Sequence, residues 1–500
     1  MSSSSIFCKN VPYTFQDASL LDVRSYVGGG WENSSENKTF AVEDPADQQI
    51  LANVSDSSVA DYERAIDIAN TAFKAYRQLT PSNRGQLLRN WAQAVRESSR
   101  DLAALCTLEL GKPINESIKA VAYAASCLDW FANLADQGCG GETIPSSGNG
   151  GRNRIWTVRR PVGVVCAITP WNSPYSGVLK KIAPALAVGC TIVHKPAPET
   201  PLCAMALAKT CQRAGFPAGV YNVLASSPGR AAVVGSLFCS HPSVRHVTFT
   251  GSTAVGRYLA ERCGANLKKI TMELGGNAAF IVFDDADLDL AVRELIACKF
   301  NSSGQVCIYA NRVLVHKGIE KAFTDRLLVA IQERVRLGSP WDDKVTLGPL
   351  YAKAGADKIE ALRADALAKG ASLHTPDVYE DGSTYYPPTV MTRITQEMRI
   401  SHEEIFGPLV AISTFDKEEE AVSLANSVDT GLAGYVFTQN ISRLFRVAEE
   451  LQAGMVGAQT GSISAIEQPF GGVRDSGMGR EGSIHALEEY TDIKSITLAL

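Results

Sequence analysis

Apolar positions along the chain change their period twice, and each change marks a different kind of element. From 60 to 135 they recur at three- and four-residue steps, as in Ile66, Ala69, Phe73 and Tyr76 and again in Leu87, Leu88, Trp91 and Val95. That spacing predicts amphipathic helices. The run SSGNGG at 146–151 ends the pattern, and NRIWTVRRPVG after it reads as an exposed strand. Short continuous apolar runs follow, GVVCAIT, CTIVHK, VYNVLA, RHVTFT and AAFIVF, separated by helical stretches. Strands buried on both faces read this way, so the segment predicts a parallel sheet between layers of helices. A second alternating region runs from 310 to 460, with RVLVH, LVAISTF and GYVFT as strands. The terminal IKSITLAL is a strand with no evident partner nearby. The fold class is α/β.

Composition narrows the picture by exclusion. A chain of 500 residues has room for two or three domains with sizeable cores. The net charge of -5 and the scattered basic residues give no nucleic-acid or membrane surface. No apolar run reaches the roughly 18 residues needed to span a bilayer. The start, MSSSSIFCKN, has neither the apolar core of a signal peptide nor the arginines of a transit peptide. Among twelve cysteines, Cys139 included, none forms a CxxC pair or a zinc-spaced cluster, so no metal site is expected. Most lie in apolar runs, where a free thiol behaves as a small hydrophobe. That points to a reducing, cytoplasmic compartment.

Several stretches carry residue types suited to chemistry, each with a plainer alternative. In RHVTFTGSTAVGRYLAERC, Gly251 permits a turn, while Ser252 and Thr253 can cap a helix whose free N–H groups would hold a pyrophosphate. An ordinary strand–helix turn looks the same. Lys195 in TIVHKPAPETP ends a buried strand, where open α/β sheets bind ligands. It meets an anion or ribose hydroxyl there, or it snorkels to the surface. Asn172 in AITPWNSP is either a rigid donor to an oxyanion or simple turn chemistry. Glu273 in ITMELGG is either a partly desolvated general base or an exposed strand-end carboxylate. Cys307 in KFNSSGQVCIYANR follows Gly304, which permits close backbone approach, and is expected near a helix start whose dipole favours thiolate. GMGREG at 477–482 matches the fingerprint GxGxxG, but no apolar strand precedes it and no complete βαβ unit can follow. It is not read as a dinucleotide site.

Together, TPWN, HKPAPETP, FTGST, MELGG, FNSSGQVC, EEIFGPL and PFGGVRDSGMGREG resemble the aldehyde dehydrogenase superfamily, in its order and spacing, from about residue 25 onward. The resemblance implies a Rossmann-like NAD(P)-binding domain over 1–145 and 163–273, an α/β catalytic domain over 274–485, and a small β oligomerisation flap over 146–162 and 486–500. In the flap, NRIWTVRRPVG would partner the final strand. Homodimers or homotetramers and a small-molecule aldehyde substrate are implied as well. Cys307 matches the nucleophile, Asn172 the oxyanion donor, Glu273 the base and Lys181 a lysine near the reacting centre. Lys195 and Ser252 match positions holding the adenosine ribose and pyrophosphate of NAD or NADP, and Glu404 the nicotinamide ribose with Phe406 packing nearby. Ile168, Thr169, Trp171 and Pro198 fall in the same implied cofactor site, as do Gly229, Phe249, Gly251 and Leu274. The implied reaction is thiolate attack, hydride loss and hydrolysis of a thioester by water that Glu273 activates. Retention of that base favours water over coenzyme A as the acyl acceptor.

The stretches LRNWAQAV, YAASCLDWFANLA, GETIPS, GGNAAFIVFDDADLD and FRVAEELQAGMVG resemble the succinate-semialdehyde dehydrogenase branch. That branch usually grips the substrate carboxylate with two arginines; this chain has Asn301 and Lys180 instead. The first is uncharged and the second lacks a bidentate fork. Ser173 stands where the family often has a bulky phenylalanine, Ser464 matches a substrate-contacting serine, and Phe470 falls in the same pocket. The expected substrate is an aldehyde larger or less charged than succinic semialdehyde, with succinate-semialdehyde dehydrogenase proper as the alternative. Pro198 replaces a glutamate common in NAD-preferring members, so NADP should be tolerated, although the neighbouring Glu199 could restore the acid. A cysteine-dependent esterase and a catalytically idle nucleotide-binding protein are the readings from other classes.

Overall fold

Four helices occupy the region of helical periodicity: Val59–Tyr76, Pro81–Glu97, Ser99–Leu110 and Ile114–Gln137. Ser58 and Asp61 form a capping box on the first, and Thr80 caps the second ahead of Pro81. Ile66, Ala69, Tyr76, Leu88, Trp91 and Val95 are buried, whereas Phe73 and Leu87 stay half-buried. The computed structural model describes residues 6–138, 140–376 and 379–500; Cys139 and the first five residues of the N-terminal reading lie outside the described residues.

Two sheets organise the rest. The first has eight strands in the order Gly30–Glu32, Ser25–Val27, Tyr221–Val223, Thr191–Lys195, Val164–Ile168, Val244–Thr250, Lys269–Glu273, Gly477–Met478. Its central strands are parallel, and the strands at both edges run antiparallel. The second has seven strands in the order Ser372–Leu373, Thr389–Thr392, Leu409–Phe415, Ala310–His316, Ala278–Val282, Ala433–Phe437, Met455–Ala458, and all but the first pairing are parallel. The helices cover the buried apolar strands from both sides, as parallel sheets require. Leu274–Asn277 carries the chain from the carboxyl end of a strand in the first sheet to the amino end of one in the second.

A third sheet joins Thr143–Ile144, Arg154–Pro161 and the terminal Thr491–Leu498. The last strand finds its partner across eight antiparallel pairs, from Thr491 opposite Pro161 to Leu498 opposite Arg154. Two edges differ from the sequence expectation. The small sheet begins at Thr143 rather than 146, and Ala486, Leu487 and Tyr490 pack into the large core instead of joining it. Those three are apolar and buried, whereas most of Thr491–Leu498 is exposed. Gly477–Met478 returns to the first sheet, opposite Glu273 and Met272, although it falls within the span expected for the catalytic domain. Among the described residues no helix is long and apolar enough to cross a membrane.

Candidate active site

The carboxyl ends of the first sheet face the amino ends of the second, and the sequence-selected residues lie along that seam. Glu273 ends the Lys269–Glu273 strand, and the next few residues turn into the second sheet. A Cβ on Gly276 would lie 2.3 Å from the carbonyl oxygen of Cys307, so only glycine lets the two segments approach this closely. The Gly276 N–H also donates to Glu404 Oε1 at 3.3 Å, drawing the EEIFGPL loop to the same point.

The loop that presents Cys307 is clamped from three sides. Ser302, Ser303 and Gly304 take successive φ values of 52°, 53° and 74°, a left-handed run that two serines adopt under constraint. The Ser302 N–H donates to Glu116 Oε2 at 2.8 Å, and Ser303 Oγ donates to the Gly348 carbonyl at 2.9 Å. Gln305 accepts from the Tyr351 N–H at 3.1 Å. A Cβ at Gly304 would lie 2.3 Å from the Gly407 oxygen, which fixes that residue as glycine twice over. The expected helix start is absent: 306–309 is a turn, closed by the Tyr309 N–H on the Val306 carbonyl at 3.0 Å, that leads directly into the Ala310–His316 strand. No macrodipole favours thiolate there. Burial, with Glu404 and Glu273 adding like charge, pushes the Cys307 thiol up to about 12, and Lys180 opposes the shift.

Asn172 does more than shape a turn. Its Nδ2 donates to the Gln305 carbonyl at 2.8 Å, which orients the amide against the cysteine loop and leaves a second N–H available. Glu273 is 1% exposed, and both of its carboxylate oxygens lack a hydrogen-bond partner among the described residues. Its carboxyl is held well above the usual range, first by burial and then by the negative charge of Glu481. It is therefore not an exposed strand-end acid.

Lys181 lies fully buried against Glu481, with Thr248 Oγ1 at 3.3 Å. Glu481 was not singled out by sequence, yet it belongs to GMGREG, the stretch set aside as a false fingerprint. The available signal was a buried lysine at 181 that needed an acid somewhere. Lys180, the preceding residue, has no carboxylate partner among the described residues; its ammonium sits 4.1 Å from the centre of the Phe470 ring and 5.4 Å from that of Tyr123. Tyr123 in turn donates to the Ser464 carbonyl, which ties three elements into one pocket wall. Ser173 turns its hydroxyl into the first turn of the Ser176–Val188 helix, 2.7 Å from Ser176 Oγ. Asn301 is exposed, and its side chain makes no hydrogen bond among the described residues.

The cofactor candidates gather at the strand ends. Lys195 is 4% exposed, so it does not snorkel, and among the described residues its Nζ donates only to the Pro196 carbonyl, at 3.5 Å. Burial pulls its ammonium down to about 8. Ser252 caps the Thr253–Ala265 helix by accepting from the Val255 N–H, beside Gly251 and the buried Phe249 and Leu274. A buried amine without an ion pair among the described residues suits a ribose hydroxyl, and a capped helix start suits a phosphate. Ile168 and Thr169 end the central strand, and Thr169 Oγ1 lies 2.9 Å from His194 Nε2. Trp171 lies against the Tyr351 ring at 3.9 Å between centroids and meets Phe406 edge-on at 5.8 Å. Pro198 is half-buried, and Gly229 lies in the exposed turn Pro228–Arg230. Burial pushes Glu404 up to about 7. No group of three His, Cys, Asp or Glu among the described residues is arranged to hold a metal.

A model of the Aldehyde dehydrogenase family matches residues 31–496. The chain belongs to that family. It is 45% identical over 507 aligned positions, the full length of both chains, to succinate-semialdehyde dehydrogenase (NADP+) 1 of Schizosaccharomyces pombe. It is 43% identical to 3-sulfolactaldehyde dehydrogenase of Pseudomonas putida, covering 97% of this chain and 98% of that one. The crystal structure of succinate-semialdehyde dehydrogenase from Burkholderia pseudomallei superposes with a TM-score of 0.95 at 44% identity, covering 98% of this chain and all of the other.

Proposed function

We propose that this chain oxidises an aldehyde bearing an anionic group at its far end to the carboxylic acid, with NAD or NADP as oxidant. The observation that carries the substrate class is Lys180, a buried ammonium held on two aromatic faces with no carboxylate partner among the described residues. An anion arriving from outside supplies what the protein withholds. Similarity to enzymes named for succinate semialdehyde and 3-sulfolactaldehyde, each of which carries one acidic group besides the aldehyde, supports the same class. This moves the sequence expectation: with Asn301 exposed and uncharged, the grip is a single cation instead of two, but the pocket is not neutral.

Cys307 Sγ attacks the carbonyl carbon, and the developing oxyanion is received by the free N–H of Asn172 and the backbone N–H of Cys307. The nicotinamide, when bound, supplies the hydride acceptor. Lys195 and Ser252 would hold its adenosine ribose and pyrophosphate, and Glu404 the other ribose. The resulting Cys307 thioester is hydrolysed by water that loses its proton to Glu273, a strong base once ionised because its carboxyl is pushed so far up. Pro198 leaves room for a 2′-phosphate, and the half-buried Glu199 is itself pushed up by burial, so it repels that phosphate less. The exposed Ile493, Leu498 and Leu500 on and beyond the terminal strand support self-association through the small sheet.

Steady-state kinetics test the reading. Succinic or glutaric semialdehyde should exceed pentanal in kcat/KM by about 10–100-fold, the worth of a charge-assisted contact. Equal values would overturn the anionic substrate class while leaving the aldehyde chemistry in place.

A further inference from the structure

Away from the catalytic seam, two thiols meet between neighbouring helices. Cys239 lies near the end of the Ala231–Ser240 helix and Cys263 near the end of Thr253–Ala265. The Cys263 Sγ donates to the Cys239 Sγ at 3.3 Å, and the Cys239 thiol donates onward to the Leu259 carbonyl at 3.7 Å. The helices are locked in register close by, where the Ser236 and Tyr258 hydroxyls lie 2.8 Å apart. Both thiols are buried, but Ser240 and Gly264, next in the chain to each, are exposed.

We propose that Cys239 and Cys263 form an oxidation site, a dithiol that a hydroperoxide converts into an intramolecular disulfide. Lys268 holds positive charge beside the pair, its Nζ donating to the His241 and Val244 carbonyls at 2.7 Å each. The hydrogen bond from Cys263, and after it the charges of Lys268 and Arg262, hold the Cys239 thiol below its ordinary value against burial, which makes Cys239 the attacking sulfur. The Cys239 thiolate attacks one peroxide oxygen; an S–O bond forms, the O–O bond breaks, and one water leaves after protonation. Cys263 then attacks the sulfenic sulfur; the S–S bond forms, the S–O bond breaks, and a second water leaves with the Cys263 proton. Two electrons pass from the two sulfurs to the peroxide, and nothing else is consumed. Closing from 3.3 Å to a disulfide bond of about 2.05 Å needs roughly 1.3 Å of movement, within reach of rotamer adjustment at the helix ends. The bond would tether two helices whose other ends carry Gly229 and Ser252, the cofactor-site candidates.

Peptide mapping after treatment with hydrogen peroxide decides the matter, with Cys307→Ser protein used so that oxidation of the nucleophile does not obscure the result. The expected product is one linked pair containing Cys239 and Cys263, two hydrogens lighter than the separate peptides and restored by dithiothreitol. In Cys263→Ser, Cys239 should remain as a sulfenic acid that dimedone traps. Recovery of both thiols free after peroxide, or linkage of either to Cys166 or another cysteine, would overturn the proposal. The map of the protein with both thiols intact decides even if the Cys263 variant fails to fold. Its failure would leave the aldehyde reading untouched, since that rests on other residues.

Discussion

Two consecutive lysines on one helix meet opposite fates. Lys181 is fully buried against Glu481 and Thr248, its charge answered within the protein. Lys180 is nearly as buried, yet it has ring faces beside it and no ion pair among the described residues. The acids divide in the same way: Glu481 is paired, and Glu273 has neither a hydrogen bond nor an ion pair among the described residues. Burying a charge without a partner is costly, so the unpaired side of this seam is where an outside molecule completes the set. The paired side holds helix, strand and terminal segment together. Charge pairing separates what builds the site from what the site acts with.

That contrast can be tested hard. The largest effect should come from Cys307→Ala, which removes the proposed nucleophile from the unpaired side: turnover falls by at least about 10⁴-fold with the unfolding midpoint unchanged. A loss of stability alongside would show that the cysteine also builds. On the paired side, Lys181→Met strands Glu481 and should cost about 3–5 kcal/mol in urea unfolding, with most of it recovered in Lys181→Met/Glu481→Leu. No recovery in the double variant would mean that the pair is not the source. Lys180→Met should lower kcat/KM for a carboxyl-bearing aldehyde about 10–100-fold and leave pentanal unaffected. Equal losses on both substrates would make Lys180 structural, and the comparison would fail.

The smallest effect concerns pH. Both the Cys307 thiol and the Glu273 carboxyl are pushed up by burial, so the neutral forms prevail near pH 7 and the reactive ionised forms grow as pH rises. The rate at saturating cofactor should climb from pH 6 towards pH 10. In Lys180→Met the climb should move to higher pH, because the lysine favours ionised Cys307. A flat profile would indicate a step other than chemistry limiting turnover.

Much of the fold was legible because local pattern and tertiary burial agree. Ile66, Ala69, Leu88 and Trp91 recur at helical spacing and are buried, and GVVCAIT and CTIVHK are strands covered on both faces. Some partners distant in sequence were missed, although the resemblance had already given the final strand its partner in NRIWTVRRPVG. GMGREG could not reveal that Gly477 and Met478 pair with Glu273 and Met272, or that Glu481 answers a lysine three hundred residues earlier. The ring seat of Lys180 needed Tyr123 and Phe470 from opposite ends of the chain. The helix start imagined at Cys307 came from small polar residues that instead form a left-handed turn pinned by Glu116 and Gly348. The proposed chemistry draws on residue type and order; the electrostatics around those residues needed the fold.

The central claim is that unpaired Glu273 releases an acyl group carried by unpaired Cys307. Intact-mass measurement of the Glu273→Gln protein, quenched in acid after mixing with succinic semialdehyde and NADP+, tests it most directly. One acyl group per chain should accumulate, and digestion should place it on Cys307 and on no other thiol. Unmodified protein turning over at the full rate, or an adduct on a different residue, would contradict the account.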